Sequence, residues 1–546
     1  MTTVCFTSIG AQKFTFMVVL CKLDWSTESY QLAKKGGQKN GAESTQCSAP
    51  KTGEIRNRSR THLNCQAHIV SRSVPKSDIF LTFFGRLNIV MSNAIQSTST
   101  QLPSAAFTTL GCKVNQYETQ RILDSFEERG FAIKEFTAPA DVYVINTCSV
   151  TQAAERKSRQ MVRRLARQNP DAVVVMTGCY GEMAKIKGEI VDEASLIVPN
   201  QDKLKTLDHV LEAHPHFVEQ LALAPPPAPR PAGRTRATIK VQDGCNVFCS
   251  FCSIPYTRKV MASRPYSEIV NEVERKADQG YREIVITGVL VGAYGPDTGS
   301  DGPQLADLLL RLARVHGIER VRLSSIEPTQ VTDSLLRAFA EEPKLCNHLH
   351  IPLQSGDTRV LSAMNRPYDQ DFYLRRCEAA YRLLPELAIT SDIMVGFPGE
   401  DYAAFESTLH VARTVGFARA HIFRYSPRPG TPAANMADAV PEEEKEERSH
   451  KLAAVCSETQ QKYIGKYLGR TLNVLVEGKT KQEGLLSGYT ENYIKALFTG
   501  GSHLIGTVTP VQLQEPTSDG ARGEAMDSYQ PEADIIPLTL VTAALA

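Results

Sequence analysis

The sequence predicts an α/β protein made of three parts: an N-terminal Rossmann-like parallel-sheet domain, an open partial βα barrel, and a small C-terminal all-β barrel. Three observations predict it. Strand-like apolar runs alternate with amphipathic helical runs from Ala105 to about Ala222, and again from Ala237 to Phe423, which is the pattern of parallel sheets. A proline-rich run from Ala222 to Ala232 separates the two stretches. From Gly469 onward the alternation gives way to short β segments divided by glycine and polar residues.

In chain order, residues 1–104 are expected to form a disordered extension. Ser, Thr, Gln, Lys and Asn dominate from Ser26 to Arg72, and such a segment buries too little apolar surface to offset its ordering entropy. Met91 is the expected true start, to be checked by N-terminal sequencing of native protein. Residues 105–221 form the first domain, with strands at Ala106–Leu110, Asp141–Asn146 and Ala172–Met176 and helices at Tyr117–Arg129 and Thr151–Arg167. Residues 222–236 are a semi-rigid linker. Residues 237–465 carry six strands: Ala237–Val241, Glu283–Thr287, Arg320–Ser324, Leu349–Pro352, Ala388–Val395 and Ala418–Phe423. Helical stretches such as Ser267–Gln279 and Gln304–His316 lie between them, and the charged run Pro441–Gln461 reads as a solvated helix. About six βα repeats place any chemistry at the strand C-termini. Residues 466–514 are the small β-barrel, with segments Thr471–Glu477, Glu483–Tyr489, Tyr493–Phe498 and Ile505–Leu513. Residues 515–546 are a tail.

Composition narrows the class. A net charge of +1 over 546 residues gives no global field toward nucleic acid, so such a site must be a local patch. Thirteen cysteines, an odd number, argue against a fully paired disulfide framework. No run reaches the ~18–20 apolar residues of a membrane span. The expected location is the cytoplasm, where clustered cysteines signal metal or catalysis.

Two cysteine sets stand out. Cys245, Cys249 and Cys252 follow the first barrel strand with spacing C-x3-C-x2-C. Three thiolates hold a [4Fe–4S] cube and leave one iron open, where the amino and carboxylate groups of S-adenosylmethionine can chelate. A zinc knuckle is the rival, but it usually needs a fourth ligand close by. Cys112, Cys148 and Cys179 end three successive strands of the first domain, where ligands of parallel sheets converge. They again offer three ligands to a second centre. Cys346, Cys377 and Cys456 read as packing residues. Cys5, Cys21, Cys47 and Cys65 fall in the extension and are assigned nothing.

Thr109-Leu-Gly-Cys-Lys-Val-Asn-Gln-Tyr-Glu118, Asn146-Thr-Cys148, Gly178-Cys179 and the C-x3-C-x2-C loop together resemble the methylthiotransferases from about residue 105 to 514. The resemblance implies an auxiliary-cluster domain, a radical S-adenosylmethionine (SAM) domain and a TRAM barrel. It assigns the auxiliary [4Fe–4S] cluster to Cys112, Cys148 and Cys179 and the SAM cluster to Cys245, Cys249 and Cys252. Cys252-Ser-Ile-Pro-Tyr256 and Leu353-Gln-Ser-Gly356 fit the family as well. Members acting on isopentenyladenosine typically read Gly-Cys-Gln-Met-Asn, and those acting on a ribosomal protein Gly-Cys-Pro-Lys-Asn. The run Gly111-Cys-Lys-Val-Asn-Gln-Tyr-Glu resembles the subgroup acting on threonylcarbamoyladenosine at position 37 of tRNA. Relatives often carry Asn or His near Leu290, so no polar SAM contact is expected there.

Further expectations follow. SAM contacts fall at strand ends on Thr287, Gly288, Glu327, Gln354 and Gly396, although tight turns need such residues anyway. No side chain is expected to act as catalytic acid or base. The tRNA anticodon loop has two candidate surfaces. One is the helix bearing Arg156, Lys157, Arg159, Arg163, Arg164 and Arg167. The other is the small barrel, with Lys462, Lys466, Arg470, Lys479 and Lys481 near Tyr489 and Tyr493 for phosphate contact and base stacking. The implied reaction uses two SAM molecules, one methylating a cluster-held sulfur and one yielding a 5′-deoxyadenosyl radical that attacks C2 of the base. It also implies an electron donor of flavodoxin-like or ferredoxin-like type and a sulfur donor. The alternatives are methylthiolation of another substrate, isopentenyladenosine tRNA or a ribosomal protein, and a non-catalytic zinc-stabilised RNA-binding protein.

Overall fold

Period-two alternation organises the first sheet. Every residue of β3 (Val142–Thr147) and β4 (Val173–Gly178) is buried. Val142, Val144, Val173 and Val175 pack with Phe126 and Phe217 on one face. Tyr143, Ile145, Val174 and Met176 pack with Val162, Leu165 and Tyr180 on the other. Strands apolar on both faces need helices over both, which is how parallel sheets are covered. In the computed structural model, which describes residues 102–149, 151–189, 191–222, 235–295 and 304–526, this sheet has five parallel strands. With β1 (Ser104–Thr109), β2 (Ala132–Lys134) and β5 (Leu196–Val198), their order is β2-β1-β3-β4-β5. The three expected strands are its centre, and the two edge strands are too short for periodicity to reveal. Helices α1 (Lys113–Arg129), α2 (Gln152–Gln168) and α3 (Cys179–Lys187) follow β1, β3 and β4.

The six strands expected next are all present: β6 (Arg236–Asp243), β8 (Glu283–Gly288), β9 (Arg320–Leu323), β10 (His348–His350), β11 (Ala388–Val395) and β12 (Arg419–Arg424). A short β7 (Ala262–Ser263) pairs antiparallel with β6 at the edge. β6-β8-β9 and β10-β11-β12 are parallel ladders. Bridges Val321–Leu345 and Ser325–His350 connect them into one arc. Among the described residues β12 does not pair with β6, so the barrel is open, and α1 of the first domain packs on β6 and β8. Helix α4 (Tyr266–Asp278) leads into β8, and the charged helix α5 (Glu442–Gly465) lies along β12.

The C-terminal strands β13 (Thr471–Lys479), β14 (Leu485–Thr490), β15 (Lys495–Thr499), β16 (Val508–Pro516) and β17 (Gly520–Ala525) close a barrel in the order β13-β14-β15-β17-β16. Leu472, Val474, Phe498, Val511 and Leu513 fill it. This corrects the expected tail, since residues 515–526 are ordered and β17 completes the closure. Gly-Ala-Arg-Gly-Glu-Ala lacks the β-branched and aromatic residues that mark a strand, and only pairing with β15 and β16 reveals it.

The turn joining β14 to β15 closes the βα barrel at the end where its strands begin. Glu283, the first residue of β8, pairs with Arg236, Arg320 and Arg322. Arg320 donates to the Tyr489 carbonyl at 3.1 Å, and Arg322 donates to those of Thr490 at 3.1 Å and Glu491 at 2.9 Å. Tyr493 stacks on His348 at 4.3 Å and on Tyr489 at 5.0 Å. The two tyrosines expected to offer a base-stacking surface are therefore spent on this floor. Sequence could not show it, because their partners lie more than a hundred residues upstream.

The expected start at Met91, the extension up to residue 101, linker residues 223–234 and tail residues 527–546 lie outside the described residues. Ser104 and Arg236, expected in the extension and the linker, already open strands. No helix among the described residues is long and apolar enough to cross a membrane. Cys346, Cys377 and Cys456 are buried, in keeping with packing roles.

Candidate functional site

At the carboxyl edge of the first sheet, three neighbouring strands deliver three thiols. Cys112 caps α1 just beyond β1, Cys148 follows β3, and Cys179 opens α3 directly after β4. Gly111 has φ +96°, and a Cβ there would stand 2.5 Å from Cys148 Sγ, so the first cysteine's loop rests on the second's. Asn115 donates to the carbonyls of Leu110 at 3.0 Å and Thr147 at 2.9 Å, and Asn146 donates to that of Asn115 at 2.9 Å. These bonds satisfy backbone groups that the turns leave open and hold the two loops together.

The second triad lies in the loop after β6. Gly244, with φ +79°, passes so close to Val260 that a Cβ would meet its carbonyl. Ser250 N–H donates to the Met364 carbonyl at 2.9 Å, and Asn365 donates to the Phe248 carbonyl at 2.9 Å, so the segment 363–366 braces the loop. Arg366 Nη1 donates to Cys249 Sγ at 3.1 Å and pairs with Glu327. Ile254 N–H points to Cys252 Sγ at 3.5 Å. Burial pushes the thiols of Cys112, Cys245 and Cys249 up and that of Cys252 to about 12. Backbone N–H groups and Arg366 pull the other way. Thiols of this kind give up their protons to a metal centre, and N–H donors around sulfur are what tune iron–sulfur sites. Among the described residues no three Cys, His, Asp or Glu side chains converge on a single ion. Three free thiols in each triad are nonetheless the donor type that iron–sulfur clusters take.

The two triads meet. Ser149 and Ser253, the residues after Cys148 and Cys252, place their hydroxyls 3.4 Å apart. Arg428 faces both Cys252 and Cys148. Behind this contact, Glu118 of α1 is buried against three cations: Lys203 at 2.7 Å, Lys240 at 2.7 Å and Arg258 at 2.7 Å. Arg258 also donates to Asn115 at 3.1 Å and Asp243 at 2.8 Å. Burial resists the charge of Glu118, but these cations outweigh it and hold its carboxyl well below the usual range. The network fixes α1 to the loop beyond β6, and with it the first triad to the second.

The residues expected to contact SAM are not gathered equally. Glu327 joins the second triad through Arg366. Thr287 is buried and accepts from Ser324 at 3.2 Å, and Gly288 ends β8 against Gln242. Leu290 is buried, and its N–H donates to Gln242 at 2.7 Å. Gln354 and Gly396 flank β11. Gln354 is held by backbone bonds to Asp392 and Met394, while Gly396 packs on the Lys445 stem and donates to Glu400 at 2.6 Å. On α2, Arg159 and Arg163 pair with Glu189 and Glu193, whereas Arg156, Lys157 and Arg164 are exposed. Sequence reasoning missed Arg366, Arg258 and Arg428, whose roles depend on partners far along the chain.

The sequence profile of the radical SAM superfamily matches residues 239–412, that of the uncharacterized protein family UPF0004 matches 104–198, and that of the TRAM domain matches 465–526. The chain is 39% identical over 425 residues to the threonylcarbamoyladenosine tRNA methylthiotransferase MtaB of Bacillus subtilis (strain 168), covering 76% of this chain and 94% of that one. It is 36% identical over 420 residues to the protein of the same name from Thermotoga maritima, covering 76% and 94%. It is 35% identical over 435 residues to the tRNA-2-methylthio-N(6)-dimethylallyladenosine synthase of Alkalilimnicola ehrlichii, covering 77% and 96%. Parallel sheets ending in two cysteine triads, a closed C-terminal barrel and relatives of this identity along nearly their whole length agree: the chain belongs to the methylthiotransferase family of radical SAM enzymes.

Proposed function

We propose that the protein converts N6-threonylcarbamoyladenosine at position 37 of tRNA to its 2-methylthio derivative, with two [4Fe–4S] clusters and two SAM molecules. The observation that carries this is the abutment of two three-cysteine loops through Ser149 and Ser253. One triad would hold the group that supplies radical chemistry, and the neighbouring triad the group that sulfur insertion additionally needs. The relatives named for threonylcarbamoyladenosine support the substrate, as does the run Gly111-Cys-Lys-Val-Asn.

Cys245, Cys249 and Cys252 would hold the SAM cluster, and Cys112, Cys148 and Cys179 the auxiliary one. When bound, these groups supply the electron, the carbon radical and the methylated sulfur. The chain's own residues do the rest. Arg366 places positive charge on Cys249 and holds Glu327 toward the same space. The β14–β15 turn covers the end of the barrel opposite the cysteine loops. The exposed Arg156, Lys157 and Arg164 on α2, just beyond Cys148, suit the phosphates of an anticodon loop, whose unpaired bases can be splayed inward. Thr287, Gly288, Glu327, Gln354 and Gly396 are proposed as SAM contacts, Glu327 foremost because of its link to Cys249.

Mass spectrometry of tRNA nucleosides from a deletion strain, with and without this gene restored, tests the reading. The methylthio derivative of threonylcarbamoyladenosine should vanish and return. If that of isopentenyladenosine changes instead, the substrate is wrong. About eight irons per chain after anaerobic purification would support two cubes, whereas zinc without sulfide would end the proposal.

A further inference from the structure

Strand alternation sorts the last three strands of the βα barrel into two faces. Leu349, Ile389, Ile393 and Ile422 belong to or pack on the apolar core beneath the helices, so the residues between them point into the barrel. These are His348 and His350 of β10, Thr390 and Asp392 of β11, and His421 and Phe423 of β12. The Thr390 hydroxyl lies 2.9 Å from His348 Nε2 and 2.9 Å from His350 Nδ1. His350 Nε2 stands 3.3 Å from Asp392 Oδ1. Both nitrogens of His350 are thus engaged, and it holds Asp392 rather than a ligand. At the lower end His348 stacks on Tyr493 of the floor. Asp392 is the one residue of β11 that is not fully buried, and its Oδ2 has no hydrogen-bond or ion-pair partner among the described residues. Beside it in register is His421, and Phe423 is in register with Met394. Met394 belongs to an apolar cluster on which Phe251, between Cys249 and Cys252, also packs, so Phe423 lies next to the second triad. The Phe423 ring is 46% exposed. One strand over and two residues up, it stands about 8 Å from Asp392 by strand spacing and rise.

We propose that this inner wall is the pocket for the target base: Phe423 stacks on the purine ring, and Asp392 accepts a hydrogen bond from its exocyclic N6–H. This deepens the function proposed above and rests on it for the entry of an adenosine. An exposed aromatic ring is a stacking platform for any unpaired base. A carboxylate accepts from an exocyclic amine and repels an exocyclic carbonyl, so Asp392 adds the selection that stacking lacks. One of its oxygens is fixed by His350, which orients the other toward the ligand and makes the acceptor a directed one. The exocyclic nitrogen keeps one hydrogen whether or not it carries a carbamoyl group, so the same contact serves the modified base. The stacking role expected of Tyr489 and Tyr493 thereby passes to an aromatic ring on the barrel wall, between their floor and the cysteine loop.

The test is binding of the full-length, cluster-loaded enzyme to anticodon hairpins whose target position carries adenosine, purine riboside without the exocyclic amine, or an abasic sugar. Wild type should bind them in that order of decreasing affinity. Phe423→Ala should weaken both base-bearing hairpins about tenfold and leave the abasic one unchanged, which also shows that the variant is folded; Phe423→Trp should keep the wild-type order. In Asp392→Asn the amide oxygen stays toward His350 and its NH2 turns toward the base, so adenosine should lose about tenfold against purine riboside. Equal weakening of all three hairpins, or ratios unchanged in both variants, would overturn the pocket. Loss of SAM affinity with the hairpin ratios intact would overturn it too, and give the wall to the adenine of SAM. A fourth hairpin with threonylcarbamoyladenosine separates this proposal from the substrate reading. A wild type that distinguishes adenosine from purine riboside but does not favour the modified base upholds the pocket and counts against that substrate. A preference for the modified base that neither Phe423 nor Asp392 affects overturns the pocket and leaves the substrate standing.

Discussion

The proposed function gives the six cysteines two jobs, and single substitutions should separate them. Cys245→Ala is expected to abolish SAM cleavage. Cys112→Ala should leave cleavage, followed as 5′-deoxyadenosine release, while stopping thiolation; a thiolating Cys112→Ala enzyme would break the two-cluster assignment. Arg366 acts on the same chemistry from behind. Arg366→Leu leaves the half-buried Glu327 without its partner and should cost about 2 kcal/mol of stability. It should also make the SAM cluster harder to reduce, because a cation next to Cys249 is lost. Redox titration followed by electron paramagnetic resonance reads that shift, and an unchanged midpoint would show that Arg366 is only structural. The cysteines stood out in sequence because a metal site would demand fixed residue types at fixed spacing. Arg366 did not, since its contact with Cys249 spans 117 residues and a single arginine carries no periodic signal.

Strands and helices were legible to the extent that they repeat. The long buried strands β3, β4 and β11 announce themselves through apolar runs, as does α2 through its alternating charge and apolar face. β2 and β5 have three residues each, and four of the six residues of β17 are glycine or alanine, so these exist only by pairing. The loops after β1 and β6 add a constraint of their own. Gly111→Ala forces a Cβ against Cys148 and Gly244→Ala forces one against the Val260 carbonyl, both at backbone angles that favour glycine. Each is expected to cost one cluster, lowering iron from about eight to about four per chain, with the SAM-cluster spectrum surviving only in Gly111→Ala. Helix α2 makes a separate prediction. Reversing Arg156 and Arg164 to Glu should weaken tRNA binding for all sequences alike and lower the slope of log affinity against log salt by about two. An unchanged slope would remove this helix from the RNA interface.

Among the described residues, ion networks join apolar packing in binding the domains: Ala388, Ala418, Tyr463 and Tyr467 share a buried cluster with Leu472 and Val474 of the C-terminal barrel. Glu118 holds the first domain to the barrel, and Glu283 gathers the arginines that hold the C-terminal barrel beneath it. Burial opposes the charge on Glu283, but Arg322, Arg320 and Arg236 outweigh burial and bring its pKa down to about 2. Its contribution is therefore complete above pH 4.5 and lost as pH falls from there toward 2. Acid melting should loosen the C-terminal barrel over that window, and Glu283→Gln should remove that part of the pH dependence while lowering stability at neutral pH. Arg322→Leu should cost about 3 kcal/mol, from two carbonyl bonds and one ion-pair partner. Such long-range pairs, Arg236 with Glu477 among them, are what the sequence leaves hidden about how the parts assemble.

The floor made by Tyr489, Thr490 and Tyr493 has a consequence for turnover. The cysteine loops lie at the opposite end, so a cofactor bound there beneath the RNA enters before it and leaves after it. SAM should have to load before tRNA, and methionine and 5′-deoxyadenosine should depart only after the RNA does. Steady-state kinetics should then be compulsory-ordered. Excess tRNA should inhibit by sealing in spent cofactor, and slow release of a tightly held RNA should limit the rate even when the chemistry is fast.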